Sequence, residues 1–105
     1  MLDKLNQINP LYDAYKALLT SKQQEYMELY YHEDLSLGEI ADEFGVSRNA
    51  IHDNIKRTEK LLLDYEEKLQ LHKKSRTREE IYGKIKSHTA DKTITELVEQ
   101  LQHLD

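Results

Sequence analysis

Apolar side chains recur along this chain at intervals of three and four, the spacing that lines one face of an α-helix. Leu2, Leu5, Ile8, Leu11 and Tyr15 form the first series. Pro10 falls inside it, and proline interrupts helical hydrogen bonding, so a start or kink is expected near Asn9, with residues 12–19 as the firm part. Thr20 or Ser21 offers a hydroxyl to cap a second helix running to about residue 31, whose apolar surface is Tyr26, Met27, Leu29 and Tyr30. Ser36 followed by Glu39 reads as a capping box, opening a short third helix with Leu37, Ile40 and Ala41 that Gly45 stops. Ser47 caps a fourth, and nothing between Arg48 and His72 obliges it to end. Its stripe of Ile51, Ile55, Thr58, Leu62, Tyr65, Leu69 and His72 suits either a core or the seam of a dimer. Lys73 to Arg78 lacks apolar residues and reads as a linker or frayed end. A fifth helix is expected from about Glu79 to His88, and a last one starting at Thr93 or Thr95, with Ile94, Leu97, Leu101 and Leu104 on one face.

The segment from Ser36 to Arg57, SLGEIADEFGVSRNAIHDNIKR, places a short capped helix, a tight turn and a second capped helix in succession. Ala41 is small where two backbones must approach, and Gly45 accepts the positive φ that a sharp reversal after Phe44 needs. Ile40, Phe44, Val46, Ile51 and Ile55 would supply the shared core. This is the pattern of a helix-turn-helix, whose second helix is presented to the major groove of DNA. With Ile51 and Ile55 inward, the outward face holds Arg48, Asn49, His52, Asp53 and Lys56, flanked by Arg57 and Lys60. Arg48 and Asn49 have the donor and acceptor geometry to read base edges, and Lys56, Arg57 and Lys60 can meet phosphates. Ser47 and its neighbours form a helix N-terminus, whose open N–H groups also favour a phosphate. The candidate nucleic-acid contacts are therefore Ser47, Arg48, Asn49, His52, Lys56, Arg57 and Lys60, with Asp53 opposing them.

Composition adds the fold class. With 3 Gly and 1 Pro in 105 residues, the punctuation a sheet protein needs is missing, so the chain is expected to be all-α. Two domains are expected: residues 1–72 around the helix-turn-helix proper at 36–57, and residues 73–105 as a helical extension packing on it or on a partner. The net charge of −5 argues against a nucleic-acid binder, but its distribution is uneven: −6 over residues 1–45, +4 over 46–86 and −3 over 87–105. No apolar run is longer than three residues, the length of Leu61-Leu62-Leu63, far short of a membrane helix, and no secretory pattern opens the chain, so a cytoplasmic location is expected.

The stretch from Leu19 to about Leu63, and above all LSLGEIADEFGVSRNAIHDNIKR, resembles region 4 of bacterial sigma factors. The whole chain, including LTSKQQEYMELYYHEDLSLGEIA, resembles the small YlxM family of helix-turn-helix proteins. That resemblance implies a regulatory DNA-binding protein and a place in the signal recognition particle pathway; the alternative it implies is an adaptor that binds the particle's RNA or GTPase. The chain departs from sigma factors at His52 and Asp53, where those carry further basic side chains.

Catalysis is not expected. Without cysteine there is no thiol nucleophile or thiolate metal site. The His residues at 32, 52, 72, 88 and 103 are scattered, and the pairs Glu66-Glu67 and Glu79-Glu80 read as solvated helix surface. No Gly-rich phosphate loop or nucleophile elbow occurs, so neither enzyme, metal nor cofactor is expected. Tyr26, Tyr30 and Tyr31 cluster as stacking platforms would, although their spacing also fits a core. The expected partners are double-stranded DNA, signal recognition particle components and a second copy of the chain through the 51–72 stripe or the C-terminal helices.

Overall fold

The computed structural model describes residues 2–104; Met1, Asp105 and the side chain of Leu2 lie outside that description. It is all-α, and it divides into two compact units that meet between Leu69 and Gln70.

The first unit contains α1 (Leu2–Tyr15), a 3-10 turn (Lys16–Leu18), α2 (Ser21–Met27) widening into a π-helical turn (Glu28–His32), α3 (Leu37–Phe44) and α4 (Arg48–Leu69). Its core is built from Ile8, Leu11, Tyr12 and Tyr15 of α1, Leu19, Tyr26, Met27 and Tyr31, Ile40 and Ala41 of α3, and Ile51, Ile55 and Leu62 of α4. Pro10 does not start α1, one of the two outcomes the sequence suggested: the helix begins before it and runs through it. A proline inside a helix costs about 3 kcal/mol, but Ile8 on one side and Leu11, Tyr12 and Tyr15 on the other are all buried on one face. The helix ends at Tyr15 instead of continuing to residue 19, because Leu19 turns to extended backbone and buries its side chain. The side-chain amide of Gln24 donates to the carbonyl of Lys16 at 2.7 Å, satisfying a group the shortened helix leaves open.

Thr20, not Ser21, caps α2, and the cap is reciprocal: Thr20 Oγ1 accepts from the Gln23 N–H at 3.2 Å while Gln23 Oε1 accepts from the Thr20 N–H at 2.9 Å. The π turn after it is closed by the Glu33 N–H donating to the carbonyl of Glu28 at 3.0 Å. The tyrosines read as possible stacking platforms are spent on packing. Tyr26 meets Phe44 edge-on at 5.0 Å, and Tyr30 meets Tyr31 edge-on at 5.0 Å, with Tyr26 and Tyr31 buried.

Helix α4 is long, as its stripe requires, but it stops at Leu69 and does not reach His72. Gln70 adopts φ +55°, a left-handed conformation that ends one helix and precedes the next. The stripe is core over Ile51, Ile55, Thr58 and Leu62, with Tyr65 packed against it, whereas Leu69 is 45% exposed. Those buried positions are taken up by packing within one chain.

The second unit is a pair of helices, α5 (Leu71–Ser87) and α6 (Lys92–Leu104), with Tyr82 and Val98 buried. The basic segment expected to be a linker is helical: Lys73 to Arg78 lies within α5, since Lys and Arg are good helix formers and no breaker precedes them. The cap of α6 is Asp91, whose carboxylate accepts the Thr93 N–H at 2.8 Å, and neither Thr93 nor Thr95 starts the helix. Gln102 donates to Glu79 at 3.2 Å and Lys86 faces Glu99 at 3.9 Å between the two helices.

Candidate nucleic-acid interface

The site is assembled by two caps and a turn. Ser36 Oγ accepts from the Glu39 N–H at 3.1 Å and Glu39 returns the bond by accepting the Ser36 N–H at 3.0 Å. That interaction holds the Glu39 carboxyl below its ordinary value, because the Ser36 N–H favours the charged form. Helix α3 ends at Gly45, which takes φ +65°; its N–H bonds the carbonyl of Ala41, and the Val46 N–H reaches the same carbonyl at 3.1 Å. Ser47 then opens α4, its Oγ accepting the Ala50 N–H at 3.1 Å. Two helices thus meet over the three residues Gly45, Val46 and Ser47, with Ile40, Ala41, Ile51 and Ile55 buried between them and Phe44 half-buried.

One expected core residue is misplaced. Val46 is 42% exposed, because the bonds that turn the backbone at Gly45 carry its side chain outward. The volume beside Phe44 is filled instead by Tyr26, and the ammonium of Lys22 lies 4.4 Å from the Phe44 ring centroid.

All seven candidate contacts, Ser47, Arg48, Asn49, His52, Lys56, Arg57 and Lys60, are exposed. They lie on the first four turns of α4 or its cap, away from the buried Ile51, Ile55, Thr58 and Leu62. The first-turn N–H groups of Arg48 and Asn49 have no carbonyl behind them within the helix and point toward the turn. Asp53 sits among these residues and is exposed; its carboxylate is 3.5 Å from His52 Nδ1. The electrostatics are therefore mixed: cations on both flanks and an acidic pair-member in the middle.

A group that sequence reasoning missed lies at the edge of this face. Glu59 is buried, 6% exposed, on the same helix as Lys56. Tyr31 donates its hydroxyl to Glu59 Oε1, and burial followed by this bond raises the Tyr31 phenol well above its ordinary value. Glu59 Oε2 faces the ammonium of Lys4 at 3.1 Å and that of Lys56 at 3.8 Å. The Lys4 ammonium beside Lys56 holds the latter below the ordinary lysine value, with Glu59 acting in the opposite sense. The only sequence signal for this cluster was the spacing of Lys56 and Glu59, which brings them together on a helix surface. The partners from α1 and the π turn are set by tertiary packing.

Among the described residues no three or more of His, Asp and Glu converge as a metal site would, and no helix is long and apolar enough to cross a membrane.

Comparison with known proteins agrees with this architecture. Residues 2–102 match the family described as "Putative helix-turn-helix protein, YlxM / p13 like". The chain is 53% identical over 105 residues to a family protein of Oceanobacillus iheyensis, covering 100% of both chains. It is 52% identical over 108 residues to the YlxM protein of Bacillus subtilis, covering 99% of this chain and 98% of the relative. A family protein of Halalkalibacterium halodurans is 54% identical over 107 residues, covering 100% of this chain and 97% of its own. The match spans both compact units, and the chain belongs to the YlxM / p13-like family of helix-turn-helix proteins.

Proposed function

We propose that this protein is a regulator that binds double-stranded DNA by laying the N-terminal turns of α4 in the major groove, acting by binding and not by catalysis. The observation that carries the reading is the exposure of all seven candidate contacts on one helix whose opposite face is buried against α3. In this reading Arg48 and Asn49 address base edges, Lys56, Arg57 and Lys60 address phosphates, and Ser47 with the first N–H groups of α4 receives a further phosphate. His52 stands between the two groups, and its pairing with Asp53 tempers the like-charge repulsion Asp53 would meet at the DNA backbone. A cytoplasmic location follows from this reading. The test is a gel shift on the full chain at low salt. Binding that weakens steeply as salt rises, and that is largely lost in the double variant Arg48→Ala/Lys56→Ala, supports the proposal. Failure to shift any duplex, including the DNA upstream of its own operon, overturns it.

A second reading, which the family resemblance implies, is an adaptor that binds the RNA or the GTPase of the signal recognition particle; the exposed Asp53 and the net charge of −5 favour the GTPase within it, because they oppose a polyanion of either kind. Capture of the GTPase from lysate in the presence of nuclease supports direct protein contact, and capture of the particle that nuclease abolishes supports its RNA as the partner. Self-association through the C-terminal helices is supported by Ile81, Ile85, Ile94, Leu97, Leu101 and Leu104, all exposed. Sedimentation at micromolar concentration decides this, and a monomer excludes it.

A further inference from the structure

The basic face of α4 continues onto another helix. A buried carboxylate needs a compensating charge, and one cation would balance Glu59. It has two, Lys4 from α1 and Lys56 from α4, so the cluster carries a net positive charge beside the candidate interface. Neither lysine is consumed by the contact: their side chains remain 39% and 50% exposed. An ammonium has three N–H donors, and Glu59 Oε2 can engage only one from each. Because both nitrogens face that single oxygen, they lie no more than about 7 Å apart, within reach of one phosphate group. The Tyr31 hydroxyl, on the other oxygen, fixes the carboxylate from the interior and leaves the lysine side turned outward.

We propose that Lys4 is a phosphodiester contact, paired with Lys56 on the shared anion of Glu59, so that the DNA interface extends from the helix-turn-helix onto α1. This rests on the duplex-binding reading above. Glu59 is the positioning residue of the pair: it draws a lysine from the beginning of the chain to the edge of the recognition face.

The experiment is duplex binding by fluorescence anisotropy across a salt series, with the full-length chain and DNA of two unrelated sequences. Losing one phosphate contact lowers the slope of log K against log salt by about 0.9. Lys4→Gln is expected to show that loss equally on both sequences, Lys4→Arg to retain the wild-type slope, and Lys16→Gln, on the 3-10 turn, to leave it unchanged. Lys4→Gln removes a partner of a buried charge and can destabilise the chain. The slope of Lys4→Gln/Glu59→Gln is therefore read against Glu59→Gln alone, where no buried carboxylate is stranded, and the same difference of about 0.9 is expected. Wild-type binding with an unchanged slope in both comparisons overturns the role of Lys4 and leaves the DNA reading intact. A wild-type chain that binds neither duplex overturns both.

Discussion

The turn between α3 and α4 rests on Gly45, and replacing it with alanine separates two sources of cost. A Cβ built at Gly45 meets no atom within 4 Å, so the substitution causes no clash with the surrounding core. The backbone there has φ +65°, where an L side chain presses on its own peptide unit. That strain is worth about 1–2 kcal/mol. Gly38 provides the opposite case within the same helix pair. It lies in the first turn of α3 with no positive φ, and its added Cβ would meet only Ser36 Oγ at 3.9 Å, an ordinary contact. Alanine there removes the entropy cost of glycine in a helix and is expected to stabilise by about 0.5–1 kcal/mol. Urea unfolding followed by circular dichroism measures both. Gly45→Ala should lower the midpoint and Gly38→Ala should raise it, each with an unchanged dependence on denaturant. For a domain of this size the Gly45 loss corresponds to a fall in Tm of about 4–8 °C per kcal/mol. Equal effects of the same sign at the two glycines would refute the reasoning, as would a Gly45 loss above about 4 kcal/mol, more than left-handed strain at one residue supplies.

Three other outcomes follow from the packing. Ile51 is wholly buried between α3 and α4, so Ile51→Ala should cost about 2–5 kcal/mol in denaturant unfolding. Val46→Thr should change stability by less than about 0.5 kcal/mol, because that side chain is 42% exposed despite its apolar character. The Glu39 carboxyl is lowered in the folded chain by the Ser36 N–H, so its contribution is fully present above the ordinary carboxylate range and is lost as pH falls through the lowered value. Acid unfolding of Glu39→Gln, which keeps a capping acceptor, should show a weaker pH dependence in that window.

Features governed by neighbouring residues were readable from the chain alone. The Ser36–Glu39 box, the Gly45 turn and the Ser47 cap each depend on a few consecutive residues, and all three appear as the spacing implied. The orientation of α4 was equally accessible, because Ile51 and Ile55 fix which side faces inward. What escaped depends on distant partners or on a competition between small terms. Pro10 looked like a boundary because its local penalty is visible, while the burial that outweighs it is shared among Ile8, Leu11, Tyr12 and Tyr15. Gln70 has no compositional mark of a break, and Lys73 to Arg78 has no apolar stripe to announce a helix. Glu59 looked like another surface acid among many; only Tyr31 and Lys4, both remote in sequence, make it an interior anion.

The π-helical turn at Glu28–His32 amounts to a single surplus residue within an otherwise regular coil. Deleting one residue there would let the backbone close into ordinary α-helical bonding, so the local segment itself would not object. Everything on one side of the deletion would rotate by about 100° relative to the other, however. Tyr31 would swing away from Glu59, and the carboxylate would lose its inner tether although none of its own helix had been altered. Length variation in this short stretch is therefore a means of retuning the lysine pair without touching it, and a shortened chain that kept its helix content but lost the raised phenol of Tyr31 would show that effect.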